Sequence, residues 1–177
     1  MEREALAAEI NRVCRLTGQF TLRSGREADT YFDKYQFESR PVVLAAVAQH
    51  LARLVPDDVS VLAGLELGGI PVVTALSLQS GLPASFLRKE PKSHGTCRYA
   101  EGPELKGERV LLVEDVVSTG GAIIDQARML RDDQVTVDRV LVVLDRETGG
   151  KEVLAAEGIE MISLFRQSDL DVLPRSS

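Results

Sequence analysis

The sequence lacks most of the marks of a membrane or secreted protein. No apolar stretch in its 177 residues approaches the roughly 20 needed to cross a bilayer. Only two cysteines occur, Cys14 and Cys97, which points to reduced thiols rather than a disulfide framework. The opening MEREALAAEI is charged and helical in pattern, without the apolar run of a signal peptide, so a cytoplasmic location is expected. No internal repeat, low-complexity tract or linker divides the chain, and one domain over residues 1–177 is expected. Two common nucleotide loops are missing as well. There is no GxxxxGK followed by Ser or Thr, and GLELGG (Gly64–Gly69) has the wrong spacing for GxGxxG. No HxxH, CxxC or dense carboxylate cluster offers a dedicated metal site. Positive charge is in deficit, 21 Lys and Arg against 27 Asp and Glu for a net charge of -6, so the bulk surface repels nucleic acid. Against that deficit the basic run from Arg88 to Arg98 stands out.

What is present reads as an alternation of helices and buried strands. Leu6, Ile10, Val13 and Leu16 have helical spacing over residues 2–17. FTLRSGREADTYFDKYQF (Phe20–Phe37) suits a short hairpin around Ser24-Gly25, and Ser39 with Pro41 reads as a helix start. In that helix Val43, Val47, His50, Leu51 and Leu54 share one face, so His50 is read as packed rather than catalytic. Strand candidates follow at Val59–Leu65, PASFLR, RVLLVE, Val137–Leu144 and IEMISLF, with helices near Ile70–Gln79, Gly120–Asp132 and Gly150–Glu157. Continuous apolar runs imply strands covered on both faces, hence a mostly parallel α/β sheet flanked by helices. In such sheets ligands collect at the carboxyl ends of the strands.

One such end carries the most specific motif, VLLVEDVVSTGGAI (Val110–Ile123). The strand delivers Glu114 and Asp115, and a turn of small residues, Ser118-Thr119-Gly120-Gly121, then opens a helix. Glycines let backbone approach an anion, and the free N–H groups of a helix N-terminus point at it. Two acids beside an anion site make sense if the ligand also has hydroxyls that need acceptors, as a ribose 5-phosphate does. The bland alternative is a plain strand–turn–helix connection with an acidic N-cap. The segment resembles the phosphoribosyl-diphosphate signature of type I phosphoribosyltransferases. That resemblance implies the fold of the family, with a small N-terminal hood (about 1–38) on a core (about 39–170). It also implies that Glu114 and Asp115 hold the ribose hydroxyls, with Asp115 counted among the catalytic residues. Val116, Val117, Ser118, Thr119, Gly120, Gly121 and Ala122 would bind the 5-phosphate, largely through backbone amides.

FLRKEPKSHGTCRYAEGPELKGERV follows a strand and has no periodicity. Long connections of this kind inside a compact domain are often functional lids. Arg88, Lys89, Lys92 and His94 place four potential cations within seven residues. Such a lid suits a reaction that expels diphosphate, because the cations stabilise the leaving group and closure excludes water. RKEPKSHG resembles the RKxxKxHG catalytic loop of the orotate phosphoribosyltransferases. This implies that Arg88, Lys89, Lys92 and His94 meet phosphoribosyl diphosphate. Lys89, Lys92 and His94 would be catalytic, with Lys89 reaching the neighbouring subunit of a homodimer. His94 is the better placed for proton handling, its ordinary pKa lying nearest neutrality.

Asp145-Arg146-Glu147, again after a strand, resembles the family's LDR segment, so Arg146 is expected to pair with the orotate carboxylate, and Ser118 to face orotate too. FTLRSGR is similar to the family's FTLKSG, with Arg23 where many members have lysine. Tyr31-Phe32 matches the aromatic pair near the pyrimidine. GLELGGIP occupies the pyrophosphate-loop position without the lysine that some members carry there, leaving the amides of Leu67 to Gly69 for that contact. The expected activity is transfer of ribose 5-phosphate to orotate, giving orotidine 5′-phosphate and diphosphate in pyrimidine biosynthesis. Mg²⁺ is expected on the diphosphate, with no direct protein ligand. Two rivals are a purine or xanthine phosphoribosyltransferase, and a regulator that senses phosphoribosyl diphosphate. A regulator would be expected to carry a winged helix or a basic surface, and neither is legible here.

Overall fold

The computed structural model describes residues 1–21, 25, 27–90 and 99–171. Arg23, Lys92, His94 and Cys97, each named above, lie outside the described residues. In chain order the elements begin with α1 (Arg3–Cys14), β1 (Arg15–Thr21), β2 (Glu27–Phe32), α2 (Tyr35–Glu38), α3 (Pro41–Ala52) and β3 (Val61–Leu65). They continue with α4 (Gly69–Ser80), β4 (Ala84–Leu87), β5 (Ala100–Glu101), β6 (Val110–Val117) and α5 (Gly121–Asp132). The chain ends with β7 (Arg139–Asp145), α6 (Gly150–Ala156), β8 (Glu160–Arg166) and α7 (Gln167–Asp171).

Six strands form one sheet in the order β5-β4-β3-β6-β7-β8. Every pairing is parallel except β4 with the short edge strand β5. The apolar runs explain why. Leu111 and Val113 of β6 join Leu62, Leu141 and Val143 in one core, shared with α1, α3 and α4. Val110 and Leu112 join Val61, Ala63, Val140 and Val142 in a second core under α5 and α6. Successive residues of a strand point to opposite faces, so an unbroken aliphatic run is what a sheet buried on both sides requires.

The chain crosses from β3 outward to β4 in one direction and from β6 outward to β7 in the other. The crevice between the carboxyl ends of β3 and β6 is therefore the topological switch point, where ligands bind in open α/β sheets. Over it lies the hood, the separate antiparallel pair β1–β2.

Several boundaries differ from the periodicity. Leu16 sits on β1 opposite Tyr31 rather than on the first helix, which stops at Cys14; the Thr17-Gly18 pair that follows is poor in helix propensity. The hairpin consequently spans Arg15–Phe32, and residues 35–38 form the helical turn α2. Pro41 occupies the first turn of α3 with Arg40 as N-cap, without a side-chain cap from Ser39. His50 is only half-buried rather than packed in the core, its Nε2 2.9 Å from the Met1 carbonyl in an exposed contact. Cys14 is a free, buried thiol whose pKa burial pushes up to about 12.

Candidate active site at the sheet crevice

The carboxyl end of β6 brings the two acids to the crevice in different surroundings. Glu114 lines a cavity of about 270 Å³ together with Leu65, Glu66, Lys89, Ala122 and Gln126. Asp115 is wholly buried on the hood side. Its Oδ2 lies 2.7 Å from Lys34 Nζ, its Oδ1 accepts from the same ammonium at 3.0 Å, and Oδ1 also accepts from its neighbour's amide, Val116 N, at 2.6 Å. Gly68 closes over it so tightly that a Cβ there would fall on Asp115 Oδ2.

A third carboxyl completes the cluster. Glu38 at the end of α2 is 7% exposed, and its carboxyl lies beside that of Asp115. Burial, then the hydrogen bond and charge of Asp115, push its pKa up to about 9. Burial and the Asp115 charge likewise raise Glu114 well above the usual carboxylate range. For Asp115 burial opposes ionisation, but hydrogen bonds from Glu38, Glu114 and Lys34 and the lysine's charge outweigh it and hold its pKa low. The arrangement is one ionised carboxylate, one ammonium and two neutral acids, which is how buried carboxyls in contact settle their charge.

Beyond the acids, the turn Ser118–Thr119 is exposed, and so are Gly121 and Ala122 at the start of α5. Gly120 is the N-cap with φ 78°, in the left-handed region that favours glycine. The loop after β7 braces this turn: Thr148 Oγ1 donates to the Ser118 carbonyl at 2.9 Å, and a Cβ at Gly150 would stand 2.6 Å from that oxygen. First-turn amides of a helix have no intrahelical partner, so an exposed turn held rigidly in this way can receive an anion.

From β3, Glu66 follows directly and its peptide bond to Leu67 is cis. Glu66 Oε1 accepts from the Lys89 amide at 2.5 Å, and Gln126 Nε2 donates to the Arg88 carbonyl at 2.9 Å. At the base of the expected lid β4 pairs antiparallel with β5, Phe86 opposite Glu101 and Leu87 opposite Ala100; residues 91–98 of the lid lie outside the described residues. There Arg88 N donates to Tyr99 O at 2.7 Å. Arg88 pairs with Glu101, Nε to Oε1 at 3.2 Å, so its side chain lies along the stem. Lys89 is exposed at the cavity. Two-residue β5 is too short to show a period in the sequence.

Arg146 emerges at the end of β7, half-buried, with its guanidinium carbon 5.2 Å from the centre of the Phe32 ring. Burial lowers its pKa from the usual value. Tyr31 is exposed and leans on Phe20, ring centres 5.5 Å apart. Larger clefts exist, about 460 Å³ beside Tyr99 and Asp133 and about 650 Å³ beside Arg139 and Glu160. The second opens at the amino ends of β7 and β8 and the first flanks the lid stem, whereas Lys89, Glu114 and Ala122 line the smaller cavity; Asp115, Ser118 to Gly121 and Arg146 are not among its lining residues.

Lys34 and Glu38 were not anticipated. Their signal was present in the i, i+4 spacing of KYQFE around buried Phe37, which reads as one helical turn presenting both groups on one side.

Comparison with known proteins agrees with this geometry. Residues 36–165 match the phosphoribosyl transferase domain family. An orotate phosphoribosyltransferase of Nocardioides sp. is 49% identical over 166 residues, 94% of this chain and 93% of that protein. The crystal structure of Mycobacterium tuberculosis orotate phosphoribosyltransferase in complex with Fe(III) dicitrate superposes with a TM-score of 0.88 at 37% identity, covering 96% of this chain and 99% of that one. The same enzyme in complex with 5-phospho-α-D-ribosyl 1-diphosphate gives a TM-score of 0.82 at 33% identity, over 96% and 99% of the two chains.

Proposed function

Since the chain belongs to the phosphoribosyltransferase family, we propose that it is an orotate phosphoribosyltransferase, making orotidine 5′-phosphate and diphosphate from orotate and phosphoribosyl diphosphate. The observation that carries this reading is the acid pair Glu114–Asp115 at the switch point, followed at once by the exposed, braced turn that opens α5. Relatives named for this activity, matched along nearly their whole length, support orotate over a purine as acceptor.

In the reaction the pyrimidine nitrogen bonds to the anomeric carbon of the ribose as the bond from that carbon to the diphosphate oxygen breaks. Glu114 faces the cavity and accepts from a ribose hydroxyl. Asp115 does the same once Lys34, whose side chain is 31% exposed, turns from it toward the anionic ligand. Val116 to Ala122 receive the 5-phosphate, mainly through the amides of Ser118 to Ala122. The backbone of Leu67 to Gly69 lies across the crevice for the diphosphate. Arg88, Lys89, Lys92 and His94 belong to the lid that closes on the leaving group, and Lys89 already roots at the cavity. Arg146 and Ser118 meet orotate, with Phe32 beneath the guanidinium giving the ring a flat partner. Arg23 is a further anion contact from the hood turn.

Mg²⁺ would enter on the diphosphate, carried by substrate oxygens and water, and would withdraw charge from the leaving group. The protein works in the cytoplasm as a homodimer whose lid reaches the partner's site. No helix among the described residues is long and apolar enough to cross a membrane.

The test is the loss of orotate absorbance on adding phosphoribosyl diphosphate and Mg²⁺. Turnover of orotate but not of hypoxanthine, adenine, xanthine or uracil is the expected result. No change with folded protein would defeat the reading, and preference for a purine would move the chain to the rival branch.

A further inference from the structure

Glu38 is a buried carboxyl that the reaction as described does not use. It comes from the hood side of the crevice, four residues after Lys34, and both reach Asp115. The groups around it are Asp33 and Lys34 from its own segment, Glu114 and Asp115 from β6, and Cys14 at the end of α1, with Arg40 at the head of α3 acting on the Cys14 side. Lys34 is the cation that acts on Glu38, but its Nζ lies within 3.0 Å of both Asp115 oxygens. A second ionised carboxylate would stand in a buried space without a counter-charge, which is far costlier than a neutral acid. Glu38 Oε1 also has no donor directed at it. A neutral carboxylic acid, however, is itself a donor and needs an acceptor for its O–H. The acceptor beside it is Asp115.

We propose that Glu38 stays protonated and donates a hydrogen bond to Asp115, holding that carboxylate ionised and oriented for the ribose hydroxyls. Glu38 is a positioning residue. Its donor remains when Lys34 turns toward the substrate, the moment at which Asp115 would otherwise be a bare buried charge. The inference rests on the reading that Asp115 receives the ribose.

Two measurements on the full-length protein test it. Infrared spectra of protein labelled with ¹³C-glutamate report neutral glutamic acid directly through its C=O stretch. A neutral band is expected at pH 7 that is absent from Glu38→Gln and titrates near pH 9. Because Glu114 is a second neutral glutamic acid, the band is assigned by its loss in Glu38→Gln; absence at pH 7 of a neutral band that this variant removes would overturn the proposal, and the reading needs no substrate. The affinity for phosphoribosyl diphosphate, by calorimetry, is expected to fall about tenfold for each pH unit above that midpoint, the slope of one linked proton. Glu38→Gln, whose amide still donates but does not titrate, should remove that fall, whereas Glu38→Ala should bind weakly at every pH. Identical alkaline profiles for wild type and Glu38→Gln would overturn the coupling. If Asp115→Asn bound phosphoribosyl diphosphate like wild type, the ribose reading of Asp115 would fail. The infrared difference between wild type and Glu38→Gln would still decide the Glu38 proton.

Discussion

The two sides of the crevice are built in opposite ways. On the core side Glu114 to Ala122 form one continuous run, attached to a strand whose first four residues are fully buried between parallel neighbours. On the hood side Phe32 ends a hairpin whose strands are largely exposed, Lys34 and Glu38 follow it, and the segment is tied to the core through the Lys34–Asp115 ion pair. A site half formed by local sequence thus meets a half formed only by tertiary contact. The core half should carry the larger share of catalysis, while the hood half sets the charge state in which the core half works.

The sharpest form of that comparison pits Asp115 and the lid against Lys34. Lys89→Ala and Lys92→Ala should each lower kcat by about 10²–10³-fold, the usual effect of removing a charge aimed at a leaving group. The melting temperature should hardly move, because Lys89 is exposed. Asp115→Asn should cost a comparable factor in kcat/KM for phosphoribosyl diphosphate. Near-normal turnover in a fully mutant dimer would remove the lid lysines from the mechanism.

Lys34→Met tests the other half and should look different. Leaving Asp115 buried without its counter-ion costs about 3 kcal/mol by analogy with broken buried pairs, reduced here because Lys34 is partly exposed and the Val116 amide still donates to the carboxylate. Stability should therefore suffer more than in any lid variant. The pH dependence has a definite sign. The Asp115 pKa is held low, so its contribution is present above the ordinary aspartate pKa and is lost as pH falls through the folded value. The Glu38 pKa is raised, so its contribution is full below the ordinary glutamate pKa and is lost as pH rises toward about 9. Urea melts across pH should show Lys34→Met losing most of the acid-side support; an unchanged acid limb would mean the ion pair contributes nothing.

How much of this was legible follows the same division. The strands β3, β6, β7 and β8 and helices α4 and α5 declare themselves by apolar runs and helical spacing, and with them the position of Glu114 and Asp115. The short elements do not. Two-residue β5 and four-residue α2 are held by their surroundings, β5 by pairing Phe86 with Glu101 and Leu87 with Ala100. Lys34 reads as an ordinary charged residue at the end of a hairpin, and only the burial of Asp115 beside it gives it a role. Arg88, conversely, looks like one more lid cation until Glu101 is seen to hold it along the stem. Pattern reports what a residue's own element needs; it is silent on which distant group will neutralise a charge.

Arg146 lies between the two halves, reaching from β7 toward Phe32 of the hood. Arg146→Ala removes a charge-assisted hydrogen bond to a carboxylate worth about 1.5–3 kcal/mol. The KM for orotate should rise by roughly 10–100-fold, with that for phosphoribosyl diphosphate nearly unchanged. Equal effects on both substrates would place Arg146 in the hood–core joint instead of the base site.

The smallest effect is expected away from both halves, at the lid stem. Tyr99 Oη donates to Asp133 Oδ2 at 2.9 Å, tying the strand side of the lid to the C-cap of α5. Burial and the Asp133 hydrogen bond raise the phenol's pKa, so it remains a donor throughout the working pH range. Tyr99→Phe keeps the ring against the second core and deletes one exposed hydrogen bond, a loss of about 0.5–1 kcal/mol. The stem is also held by the Arg88–Tyr99 backbone bond and by buried Leu105, so turnover should stay within about twofold, as a loss of this size shared with other contacts allows. Hydrogen exchange at the Ala100 and Glu101 amides should quicken slightly while exchange in β6 stays as it was. If the substitution instead slowed turnover as much as Lys89→Ala, lid placement would depend on its root at α5 and not on the crevice, and the division between core and hood would need a third part.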